Sequence, residues 1–142
     1  MAFDQMEWHA ETFPDSMDRD CAGTHIGMYL AWLIMNDMIA PELYREYEAD
    51  FERVKRREMT GRDLLMERLN EGLLEDVMTE EAQEFTADYY DSKYIDDYEN
   101  VLGNSADSEY AVYLHDDSWE NYDQVEPMIT ERFEQWRDGE WD

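Results

Sequence analysis

The residues able to do chemistry are few: three histidines, His9, His25 and His115, and one cysteine, Cys21, among 38 acidic residues. Imidazoles usually bind metal when a second ligand recurs at helical spacing, as in His-Glu-x-x-His or Glu-x-x-His. Neither pattern occurs, because Met6, Ala22 and Val112 stand three residues before the histidines. Glu7, His9 and Glu11 are the nearest composite set. The acid-rich stretches 91–100 and 116–123 lack the turn glycine of a calcium loop. Cys21 precedes His25 by four residues and can share its helix face, but a small buried core residue is the stronger reading. The six glycines are scattered singly and build no phosphate loop. No metal, cofactor or catalytic residue is predicted, and the chain reads as a non-enzyme.

Those side chains must be positioned by helices. From Ile26 to Met35 the chain is almost uninterrupted apolar sequence, so a helix over about residues 20–38 should be buried on every side. Gly27 within it allows a neighbouring backbone or ring to approach closely, and His25 beside it suits a buried bridging hydrogen bond. Pro41 suits a first helical turn, and Tyr44, Tyr47, Phe51 and Val54 then recur at three- and four-residue steps. Thr60, Thr79 and Ser118 read as N-caps of later helices. The last helix carries Pro127, where a kink or restart is expected. Residues 110–114 are β-prone and read as a short extended segment. The expectation is an all-α single domain over residues 1–142, with five or six helices around the buried one.

Charge narrows the function further. Formal net charge is -27, with 15 acids and 8 bases in residues 1–68 but 23 acids and 3 bases beyond them. Such a surface repels nucleic acid and anionic lipid. No apolar run approaches a membrane span, and Met1–Glu7 resembles no signal peptide. With a lone cysteine, these features lead to the expectation of a cytoplasmic protein. Yet 43% of residues are hydrophobic and 14% aromatic, which is enough for a folded core and unlike a disordered acidic tail.

The segment Thr24-His25-Ile26-Gly27-Met28-Tyr29-Leu30-Ala31-Trp32 resembles the signature helix of a family of small bacterial cytosolic proteins of unknown function. Glu7-Trp8-His9, Met59-Thr60-Gly61, Ser118-Trp119-Glu120-Asn121-Tyr122 and Arg132-Phe133-x-x-Trp136 extend the resemblance over nearly the whole chain. The resemblance implies no established activity. In size and acidity the chain is also similar to immunity proteins that neutralise toxins delivered between bacteria.

The sequence therefore predicts a binding protein whose acidic half docks a basic partner, such as a toxin or nuclease domain. Glu84, Asp88, Asp91, Asp96 and Asp97 are the candidate charges, with Tyr90, Tyr94 and Trp119 as aromatic anchors. Two alternatives stand beside it. One is a small-ligand protein or enzyme with a pocket lined by Trp8, His9, His25 and Trp32. The other is an acidic, salt-adapted protein with no specific partner.

Overall fold

A computed structural model describes residues 2–103 and 111–139, and they fold mostly as α-helix. The predicted central helix is α2 (Thr24–Met35), entered through a 3-10 turn at Arg19–Gly23. Every residue from Thr24 to Ile34 is buried. The chain leaves α2 through Asp37, which takes a left-handed conformation at φ 57°.

A helix this apolar must be covered on all sides, and α5 (Gly61–Arg68) covers one of them most closely. A side-chain carbon on Gly27 would lie 2.6 Å from Arg62 Cα, and one on Gly61 would collide with the Gly27 carbonyl oxygen. The two glycines let the helix backbones touch, as Gly27 led us to expect. Thr60 caps α5 by accepting the Asp63 amide at 3.2 Å. Its hydroxyl also donates to Asp117 at 2.7 Å. Thr60→Ala should therefore destabilise the fold by about 1–2 kcal/mol, since a cap and a bond to a half-buried carboxylate go together. Denaturant melts of the two proteins check this.

Other elements depart from the sequence reading for local reasons. The stripe beginning at Pro41 is broken at Tyr47 into α3 (Pro41–Glu46) and α4 (Glu48–Lys55). The chain beyond the Thr79 cap forms α6 (Glu80–Tyr89), a π turn (Tyr90–Tyr94) and α7 (Ile95–Leu102). Buried Phe85, Tyr89, Tyr94 and Tyr98 follow at steps of four, five and four. An α-helix would rotate the five-residue step off the buried face, and the wider π turn absorbs it. Helix α8 (Trp119–Arg137) runs through Pro127 without a restart. Pro127 is exposed, so water can satisfy the carbonyl it leaves unpaired. The extended segment expected at 110–114 is corrected to a 3-10 turn at Ala111–Tyr113, and Tyr110 lies outside the described residues.

The sequence reading also missed a small sheet. Strand β1 (Ala2–Gln5) pairs antiparallel with β2 (Gly72–Leu74), Asp4 opposite Leu73 and Gln5 opposite Gly72, with a bulge between Ala2 and Asp4. These strands are too short to show a period of two. The pairing fixes the start of the chain beside α1 (Met6–Ala10) and turns Asp4 into the core.

Candidate functional site

The most concentrated polar chemistry lies where β1, α1, α2 and the π turn meet. Asp4, on β1, is only 5% exposed, and His25, near the start of α2, is fully buried. His9 Nε2 is 2.7 Å from Asp4 Oδ1, and His25 Nε2 is 3.3 Å from Asp4 Oδ2. The imidazoles meet edge to face, with centroids 4.6 Å apart. Tyr90 donates to Asp4 Oδ2 at 2.7 Å. The Tyr113 hydroxyl sits 2.7 Å from His9 Nδ1.

Aromatic rings close the site. Tyr94 and Tyr98 flank the His25 ring, and Tyr94 donates to the His25 carbonyl at 2.6 Å. The bridging hydrogen bond expected of His25 is thus accepted by its backbone carbonyl and not made by the imidazole. Burial by itself raises the Asp4 carboxyl, but the adjacent imidazoles of His25 and His9 outweigh it and hold the group far below the usual carboxylate range. Burial lowers the His25 value in spite of Asp4, favouring a neutral ring. Neither ring nitrogen of His25 has a hydrogen-bond partner among the described residues. The result is an ionised carboxylate held against two imidazoles, with His9 the most exposed of the three side chains.

This cluster joins His9 and His25, as the pocket reading expected, but to Asp4 rather than to the tryptophans. Trp8 is 51% exposed. Trp32 is buried and donates its indole N–H to Thr130 at 3.0 Å. Glu7 and Glu11 are exposed and take no part. Asp4 was not singled out, because no helical spacing links it to His9 or His25; only the β1–β2 pairing brings it in. Burial pushes the Cys21 thiol above its ordinary value, opposite to the shift of an activated nucleophile.

The acidic half divides in two. Glu84, Asp88, Asp91 and Asp96 are exposed on α6, the π turn and α7, and Asp88 accepts the Trp136 indole N–H at 2.8 Å. Tyr90 and Tyr94 are at most 3% exposed, so their placement as surface anchors is corrected: the π turn points both inward. Asp97 is also buried, clamped by Arg132 at 2.8 and 3.0 Å and by the Tyr89 hydroxyl at 2.9 Å. Trp119 is half-buried beneath the Arg57 guanidinium, 4.9 Å from its ring centre.

Several of the bases, by contrast, are committed within the chain. Arg19 pairs with Glu71, Lys55 with Asp37, Arg56 with Glu58, Arg57 with Asp123 and Arg68 with Asp50. Glu84, Asp91 and Asp96 have no ion pair among the described residues. A family model, described as Domain of unknown function (DUF7832), matches residues 2–112. The chain belongs to that family. The DUF7832 match takes in Asp4, His9, His25 and the exposed acids of α6 and α7, and it ends before α8. No curated protein and no solved structure matches the chain. Among the described residues, no helix is long and apolar enough to cross a membrane.

Proposed function

We propose that this DUF7832 protein is a non-enzymatic binding protein that docks a basic protein on the acidic face of α6, the π turn and α7. An immunity-type inhibitor, covering a cationic toxin or nuclease domain in a bacterial cytoplasm, fits that chemistry. The observation that carries the reading is the one-sided use of charge. Arg19, Lys55, Arg56, Arg57 and Arg68 of the first half are spent on acids of the chain, while Glu84, Asp91 and Asp96 face solvent with no ion pair among the described residues. Like charges held at a surface without compensation repel one another and lower stability, so their retention suits a complementary partner.

The inward turn of Tyr90 and Tyr94 changes the expected energetics. With fewer aromatic anchors, steering by charge dominates, and salt should weaken the complex strongly.

The test is a triple reversal, Glu84→Lys, Asp91→Lys and Asp96→Lys, which spares the Asp88 and Asp97 contacts. Wild type and variant are used to capture partners from the native lysate at low and high salt. Wild type should retain one basic protein near-stoichiometrically at low salt. With that protein purified, the variant should associate roughly 10- to 100-fold more slowly. Equal capture by both proteins, or no capture by wild type, overturns the proposal.

A further inference from the structure

The Asp4–His9–His25 cluster plays no part in that docking face, and its chemistry is different. We infer that Asp4, His9 and His25 form a binding site for one divalent transition ion of the zinc class, held by two imidazoles and a carboxylate. Each residue offers one donor atom, and the three atoms lie within 4.8 Å of one another. Zinc–nitrogen and zinc–oxygen bonds of about 2.1 Å place tetrahedral donors about 3.4 Å apart, so the widest pair closes by at most about 1.4 Å on binding. His9 is the movable member, because its side chain keeps 19% exposure while that of His25 has none.

Three further observations support a ligand role. His25 is fully buried with both ring nitrogens lacking a hydrogen-bond partner, Nε2 approaching Asp4 only at 3.3 Å, a rarity in folded proteins that ligation would relieve at one of the two nitrogens. The other two donors already have the outer-shell contacts typical of metal ligands: Tyr113 on His9 Nδ1 and Tyr90 on Asp4 Oδ2. Finally, two imidazoles with one carboxylate suit zinc, cobalt or iron, whereas magnesium and calcium take oxygen ligands. The partial exposure of His9 gives the ion a path in and leaves its fourth position to water.

The full chain, stripped with a chelator, is titrated with Zn²⁺ by calorimetry and with Co²⁺ by visible absorption. Excess Mg²⁺ is kept present to occupy surface carboxylates. One equivalent should bind, with cobalt bands typical of nitrogen ligation and a raised melting temperature. His9→Gln should weaken binding by more than about 100-fold, and Tyr113→Phe, an outer-shell change, by about 10- to 100-fold. Neither position is fully buried, so both variants should keep the wild-type circular dichroism. Should His9→Gln not fold, Tyr113→Phe alone decides. No saturable binding in excess Mg²⁺, or affinity unchanged in these variants, would show that the cluster is a structural hydrogen-bond hub and overturn the inference. The charge-reversed α6–α7 variant should bind zinc as the wild type does.

Discussion

Gly61→Ala is expected to separate α5 from α2 and to destabilise the protein by about 3 kcal/mol or more, near the upper end for overpacking. The added methyl has no soft neighbour to displace. Its carbon would sit on the Gly27 carbonyl oxygen and 3.1 Å from the Ala31 nitrogen, both backbone atoms of the central helix. Gly27→Ala meets the same obstacle from the other side, at Arg62 N and Cα. Alanine would gain at most about 1 kcal/mol of helix propensity, so the collision decides the sign. In a domain with a stability of 5–15 kcal/mol, the melting temperature should fall by about 10 °C. Gly72→Ala is the control. Its nearest neighbour is a flexible Gln5 carbon at 3.5 Å, so it should melt close to wild type. If both Gly27→Ala and Gly61→Ala melt like Gly72→Ala, the helices do not cross at these glycines.

The second large effect comes from alkali. Burial pushes the hydroxyls of Tyr29, Tyr89, Tyr98 and Tyr122 far above the ordinary tyrosine value. Tyr90 and Tyr94 are raised likewise, first by burial and then by neighbouring Asp4 and Tyr98. In the unfolded chain these groups ionise near pH 10, while in the folded protein they stay neutral. Their contribution to stability is therefore intact below pH 10 and is lost as pH rises above it. Each tyrosine adds a slope of about 1.4 kcal/mol per pH unit, so six together remove roughly 8 kcal/mol per unit. That is enough to unfold the domain within about one or two pH units. Tyrosinate absorbance and helical circular dichroism should then change together in one cooperative step. Gradual ionisation of all ten tyrosines near pH 10, with helicity intact, would contradict it.

Both expectations depend on features of different visibility in the sequence. Gly27 stands out because an apolar helix rarely tolerates glycine without a close neighbour. Gly61, its partner, is unremarkable after the Thr60 cap. Ten tyrosines were countable, but which of them face inward was not. Tyr90 and Tyr94 read as surface anchors because they stand among carboxylates, whereas the π turn carries both inward. Likewise, Asp97 was grouped with the exposed acids although Arg132, on a helix packed against it, holds it inside.

Local physics explains what the sequence determined alone. A buried helix follows from an unbroken apolar run, and helix starts follow from Thr60, Thr79 and Ser118, each of which caps an amide three residues on. The acidic imbalance is likewise fixed by composition. Tertiary structure decided the rest. Asp4 meets His9 and His25 only because β1 pairs with a strand some seventy residues away, and Tyr90 and Tyr113 reach the same cluster from still farther along the chain. Hydrogen bonds, ion pairs and ring contacts act over a few ångströms of space whatever the sequence separation, so no spacing in a linear chain encodes which distant side chains they join.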